Sequence, residues 1–108
     1  YCSSKFAIIG LTQSLALELA AHGITGNAIC PRLTPTERIG YMTNLFDNSA
    51  LQGKEATDAL LSGVAGSTPV GRLAQTEDLA HTVSFLASDG AAFLTGLSIP
   101  VDGGWLMR

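Results

Sequence analysis

An alternating α/β protein with a parallel sheet is the fold class this sequence predicts, and three observations predict it. Apolar residues recur at helical spacing over 1–22 and again over 76–88. Short apolar runs follow each of them, at 24–30 and 97–101. Between the two halves lies a long mixed stretch, 32–68, with no single period. The order is therefore helix, strand, loop with helices, helix, strand. A parallel sheet must be covered on both faces, and two strands cannot make a stable one, so further strands are expected outside these residues.

Each element has its own signals. In 1–22, Ala7, Ile8, Leu11, Leu15, Ala16 and Leu19 repeat at helical spacing, and Gly23 after His22 is a usual stop. The apolar face is broad, which predicts a helix buried on much of its girth. Gly10 in its interior predicts close packing against a neighbour, since it otherwise costs about 1 kcal/mol relative to Ala. Ile24 to Cys30 read as a buried strand ending at Pro31, weakened by Gly26. In 32–68, Pro35, Gly40, Gly53, Gly63 and Gly66 interrupt the chain, while Leu45, Phe46, Leu60, Leu61 and Val64 suggest one or two short helices. Long segments of this kind are often lids or binding loops. Thr76 is placed to cap the second helix, with Glu77 and Asp78 in its favoured first turn and Leu79, Val83 and Leu86 as its inner stripe. Asp89-Gly90 ends it. Pro100 cannot donate to a ladder, so 97–101 is predicted at a sheet edge, and Asp102-Gly103-Gly104 as a tight turn.

Composition narrows the function classes. With 108 residues the chain is one small domain or part of a larger one. It is 46% hydrophobic and 14% charged, which reads as globular. The net charge of -3 and six scattered basic residues argue against nucleic-acid binding. No apolar run reaches the roughly 20 residues of a membrane helix. No signal peptide is visible, and a cytoplasmic protein is expected. Cys2 and Cys30 are too few for a disulfide framework and read as two buried small apolar residues.

Tyr1 and Lys5 lie one helical turn apart and project from one face. A phenol with its usual pKa near 10 is a poor acid-base catalyst at neutral pH. An adjacent ammonium favours the phenolate and makes the pair usable on a carbonyl/alcohol couple. Taken alone this spacing is common. What surrounds it carries more weight. The run from Tyr1 through Thr12 and its continuation Ser14-Leu15-Ala16-Leu17-Glu18-Leu19 resemble the active-site helix of short-chain dehydrogenases/reductases. Asn27-Ala28-Ile29-Cys30-Pro31, Pro69-Val70-Gly71-Arg72-Leu73, Glu77-Asp78-Leu79-Ala80, Phe85-Leu86-Ala87-Ser88-Asp89, Thr95-Gly96 and Val101-Asp102-Gly103-Gly104 match that family in the same order. Only about 40–66 matches poorly, where the family varies with substrate.

The resemblance implies that 1–108 is the C-terminal portion of a single NAD(P)-binding, Rossmann-like doubly wound sheet, with 37–66 as the substrate-binding loop. It implies an oxidoreductase that moves a hydride between NAD or NADP and a secondary alcohol or ketone. Tyr1 would be the general acid/base, and Lys5 would bind the cofactor ribose and lower the Tyr1 pKa. Pro31, Arg32, Leu33, Thr34 and Thr36 would join Tyr1 and Lys5 in holding the cofactor. Thr34 would meet the carboxamide through its backbone. The family's catalytic Ser and Gly-rich pyrophosphate loop precede this Tyr, so Ser3 and Ser4 do not fill the Ser role and 1–108 alone is expected to be inactive. The resemblance also implies a homotetramer, joined through the 1–22 helix and through the 76–88 helix with the last strand.

Two positions depart from the pattern: Arg32 stands where the family has Gly, and Gly26 where it has a β-branched strand residue. Arg32 reads either as an outward side chain on an altered loop or as a contact for an anionic group on cofactor or substrate. His22 and His81 lack a second ligand at metal spacing, so no metal is expected. The small polar and apolar mix of 37–66, with Met42, Leu45, Phe46 and Leu51, fits a polyol, hydroxyketone or 3-oxoacyl group, with a slight lean to a small hydroxylated substrate. The alternative function class is a non-catalytic NAD(P)-binding or regulatory protein on the same scaffold, for which Arg32 and Gly26 are the motivating features.

Overall fold

The computed structural model describes residues 1–36, 39 and 53–107. They form helix α1 (Cys2–Leu19), strand β1 (Ala28–Pro31), helix α2 (Lys54–Ser67), helix α3 (Thr76–Leu86) and strand β2 (Ser98–Val101), with 3-10 turns at Ala20–His22, Asp89–Ala91 and Trp105–Met107. β1 and β2 are hydrogen-bonded neighbours. Gly96 N–H donates to the Gly26 carbonyl (2.7 Å) and Ala28 N–H to the Leu97 carbonyl (2.8 Å). Both residue numbers rise together along this register, so the strands run parallel, as the α/β reading requires. The chain divides into two compact units, Tyr1–Cys30 with Glu77–Val101, and Pro31–Thr76 with Asp102–Arg108.

In the first unit, α1 ends as its sequence dictates. Its last turn tightens into the Ala20–His22 turn, and Gly23 adopts φ +72° and donates its N–H to the Ala20 carbonyl. Ala16 is the buried point of α1, 3% exposed. It lies under the approaches to both strands: a Cβ on Gly26 would stand 3.9 Å from Ala16 and a Cβ on Gly96 would stand 3.6 Å from its methyl. Ile9 and Leu19 are half-buried, and most other apolar residues of α1 are open. Phe6, Ile8, Leu11, Leu15 and Leu17 are all exposed, and nothing stands within 4 Å of a Cβ built on Gly10. Within these residues the two four-residue strands cover α1 around Ala16 and leave the rest of its broad apolar face, Gly10 included, uncovered.

The first strand is shorter than its sequence suggests, spanning Ala28–Pro31 rather than 24–30, with Pro31 inside it. The physical reason lies in Asn27. Its side-chain amide donates to the Leu94 carbonyl (2.8 Å) and its Oδ1 accepts the Leu97 N–H (3.1 Å), so at Asn27 side-chain bonds interrupt the regular ladder just before the strand begins. Gly26 likewise donates to Thr95 Oγ1 (3.0 Å). β2 spans Ser98–Val101 and contains Pro100. Thr76 is the first residue of α3 rather than its cap, and the helix stops at Leu86, before the Ser88–Ala91 turn. Of the expected inner stripe, Leu79 and Leu86 are half-buried while Val83 is exposed. His81 is exposed on the polar side, as expected.

In the second unit, α2 is a helix of 14 residues that carries Leu60, Leu61 and Val64; Leu45 and Phe46, the other residues expected in a helix, lie outside the described residues. Gly53 precedes it at φ +64°, Glu55 favours its first turn, and Thr57 closes that turn through its hydroxyl on the Gly53 carbonyl (3.1 Å). Gly63 and Gly66 sit within it at a cost that intact helical bonding and the buried Ala56 offset. It ends at Thr68 because Pro69 forces the preceding residue into extended backbone, here ψ 125°. Ser67 and Thr68 hydroxyls both donate to the Val64 carbonyl, at 3.1 and 2.7 Å. The Ile39 N–H donates to the Thr36 carbonyl (3.0 Å), and Ile39 is buried. Gly40, Met42, Leu45, Phe46 and Leu51 lie outside the described residues. Among the described residues no helix is long and apolar enough to cross a membrane.

Candidate active site

The first turn of α1 carries Tyr1 and Lys5, the expected acid-base pair. Tyr1 sits at the helix N-cap, and its carbonyl accepts the Lys5 N–H (3.1 Å) and the Ser4 hydroxyl (2.7 Å). These bonds fix the turn and so fix the spacing of the two side chains. Lys5 Nζ lies 5.5 Å from the Tyr1 ring centroid, within cation–π range. Tyr1 is 87% exposed. Ser3 and Ser4 belong to the same turn, and Ser4 is spent on the backbone.

The second group of expected residues lies on the loop after β1. Pro31 is the last residue of the strand, and Leu33 is half-buried. Thr34 donates its hydroxyl to the Arg32 carbonyl (3.1 Å), a turn that folds residues 32–34 on themselves. Thr36 is exposed, and its carbonyl accepts the Ile39 N–H.

Arg32 is the residue whose placement the sequence did not reveal. No described non-glycine residue has positive φ, so the loop holds an ordinary backbone at Arg32, where the resemblance leads one to expect Gly. The side chain neither points outward nor hangs free. Its guanidinium Cζ lies 4.1 Å from the Trp105 ring centroid, and one terminal nitrogen donates to Ser67 Oγ (3.1 Å). Nε is buried without a hydrogen-bond partner. The only signal for this in the sequence is the pair of residue types, since Arg stacks on aromatic faces.

Trp105 is itself held. Asp102 accepts the Gly104 N–H on Oδ1 and the Leu106 N–H on Oδ2, both at 2.9 Å. The bond from Leu106, foremost, and those from Gly104 and Trp105 hold the Asp102 carboxyl below its ordinary value of 3.8, against a smaller opposing effect of desolvation. Gly103, at φ +63°, packs so closely that a Cβ would stand 2.5 Å from Thr68 Cγ2. The tight turn expected at Asp102-Gly103-Gly104 is thus present, with its Asp bonded to local backbone.

Both cysteines are free, and the expectation that both are buried is corrected: Cys2 is exposed and Cys30 half-buried. Among the described residues no group of three His, Cys, Asp or Glu side chains could hold a metal ion.

Comparison with known proteins decides what this arrangement belongs to. Residues 1–106 match the family model described as enoyl-(acyl carrier protein) reductase. The chain is 38% identical over 104 residues to the 3-oxoacyl-(acyl-carrier-protein) reductase FabG of Haemophilus influenzae, covering 96% of this chain and 37% of that protein. This chain belongs to the short-chain dehydrogenase/reductase family. Among solved structures of the family, the ligand-free aldohexose dehydrogenase of Thermoplasma acidophilum superposes with a TM-score of 0.85 at 34% identity, over 100% of this chain and 41% of that one. A candidate gluconate 5-dehydrogenase of Beutenbergia cavernae, described as NAD(P)-dependent and solved with NADP at low occupancy, gives 0.81 at 34% identity, over 100% and 39%. The short-chain dehydrogenase/reductase fold is Rossmann-like, and the parallel α/β arrangement here is a part of it. The chain spans well under half the length of these relatives.

Proposed function

We propose that the protein carrying this chain is a nicotinamide-dependent oxidoreductase acting on a secondary alcohol or ketone. The observation that carries the reading is the Tyr1–Lys5 pair, one helical turn apart with the ammonium 5.5 Å from the phenol ring, within a segment that matches the family model from end to end. The named activities of the relatives, a 3-oxoacyl reductase and an aldohexose dehydrogenase, share a carbonyl/alcohol couple, and that couple is the substrate class proposed here.

A nicotinamide cofactor, NAD or NADP, when bound, supplies or accepts the hydride. The donor types on this chain fit such a molecule: an open ammonium at Lys5 suits ribose hydroxyls, and the peptide and hydroxyl groups of Pro31, Arg32, Leu33, Thr34 and Thr36 suit a carboxamide. Lys5 binds and orients. Its charge also stabilises the negative charge that develops on the Tyr1 oxygen. Tyr1 Oη gives a proton to the carbonyl oxygen in reduction and takes it from the hydroxyl in oxidation. The open apolar side chains of α1, Phe6 and Leu11 among them, support burial of this helix in a larger assembly, which the proposal takes to be a homotetramer. The 37–66 stretch is taken as the substrate-selecting segment, with a small hydroxylated substrate preferred.

The test uses the full-length protein with NAD(H) and NADP(H) against a panel of small polyols, hydroxyketones and 3-oxoacyl thioesters. Turnover of at least one pair is expected, and Lys5→Met should lower kcat/KM by about 100-fold or more. Tight cofactor binding with no turnover across the panel would contradict the reading and favour a binding protein instead.

A further inference from the structure

Arg32 links three segments of the second unit that are far apart in sequence. It starts on the loop after β1, bonds to Ser67 at the end of α2, and stacks on Trp105 in the C-terminal turn. Each contact is backed by another. Thr34 closes the loop on the Arg32 carbonyl, Ser67 is anchored to Val64, and the Trp105 turn is tied down by Asp102. Between the last two segments the backbone is locked as well: the Val70 N–H donates to the Gly103 carbonyl (3.2 Å), and a Cβ on Gly104 would meet the Pro69 ring at 3.4 Å. The Arg32 Nε is buried and unpartnered, which favours release of the side chain to water. It stays because the stack and the hydroxyl bond hold the guanidinium plane from two sides.

We propose that Arg32 is a positioning residue, which sets the conformation of the 31–36 loop by clamping it to Ser67 and Trp105 and thereby raises cofactor affinity. The inference rests on the reading of that loop as part of the cofactor site. The clamp pre-organises the loop, so less ordering is left to be done on binding. Arg32 acts through the backbone of Leu33 and Thr34, not by touching the cofactor with its guanidinium, which is already engaged.

The experiment measures cofactor Kd by titration, together with kcat, KM and Tm, in the full-length protein. The variants are Arg32→Gly, Trp105→Leu, their double, Arg32→Lys and Trp105→Phe. Each of the first two should weaken cofactor binding by about tenfold, and the double variant by little more than either, because both break one clamp. Trp105→Phe keeps a ring face for the cation and should stay within about threefold of wild type. Arg32→Lys keeps the cation but not the planar fork and should fall between wild type and Arg32→Gly. The larger share of each loss should fall on Kd and KM rather than on kcat. Unchanged Kd in variants with lowered Tm would reduce the clamp to a structural feature and overturn the proposal, as would losses that multiply in the double variant. Should Arg32→Gly fail to fold, Arg32→Lys, Trp105→Leu and Trp105→Phe decide alone. A wild type that binds cofactor but turns over nothing would sink the proposed activity and leave this comparison readable. A wild type that binds no cofactor would overturn both.

Discussion

Tyr1 and Lys5 stand open at the first turn of α1, spaced by the backbone bonds of one helix, whereas Arg32 is gripped between a hydroxyl and an indole from two other segments. The difference lies in what sets each position. A residue in the first turn of a helix is placed from behind by local backbone bonds that need no tertiary partner. A loop has no such ruler. Here its shape comes from contacts distant in sequence: Arg32 with Ser67 and Trp105, and Gly103 with Thr68.

Breaking the second arrangement at its tightest point should have the largest effect on stability. Gly103→Val forces a branched side chain onto φ +63° and drives its Cβ toward Thr68, and should cost about 3 kcal/mol or more, read as a fall in Tm of the full-length protein. An unchanged Tm would show that the Gly103–Thr68 contact is not part of the lock. In the first unit the matching point is Ala16, beneath Gly26 and Gly96. Ala16→Leu should destabilise by about 2 kcal/mol through overpacking, measured by denaturant unfolding.

A smaller effect is expected at Asp102. Asp102→Ala removes the acceptor for Gly104 and Leu106 and should lower Tm by a few degrees at neutral pH, loosening the turn that carries Trp105. Because the folded-state pKa is depressed, the bonds contribute fully above 3.8 and are lost as pH falls through the lower folded value, so the Tm gap should narrow in acid. A gap independent of pH would mean that the carboxylate charge does not matter to the turn. Smallest of all is Gly26→Ala. Its new methyl would stand 3.9 Å from Ala16, an ordinary contact, and the change should fall within about 1 kcal/mol of wild type. A large loss there would show that the strand approach needs glycine.

What could be read from the sequence was local. The stop at Gly23, the acidic first turn of α3, Pro100 in β2 and the Asp102 turn each depend on a residue and its near neighbours. The Tyr1–Lys5 spacing is likewise a property of one helical turn. The start of β1 was hidden because Asn27 bonds through its side chain to residues around 94–97. The length of α2 was hidden because Gly63 and Gly66 argue against a helix whose terminal hydroxyls at Ser67 and Thr68 then satisfy it. Arg32 registered only as a departure from a pattern. That it stacks on Trp105 depends on the fold bringing the C-terminal turn beneath it. The broad apolar face of α1 announces a partner without saying which residues supply it.

The central claim, that Tyr1 transfers the proton, is tested most directly by Tyr1→Phe in the full-length protein, with kcat and cofactor Kd measured side by side. Phe keeps the ring beside Lys5 and removes only the hydroxyl. The account predicts that kcat falls by about 100- to 10,000-fold while cofactor Kd stays within a few-fold of wild type. Turnover near the wild-type rate would contradict it.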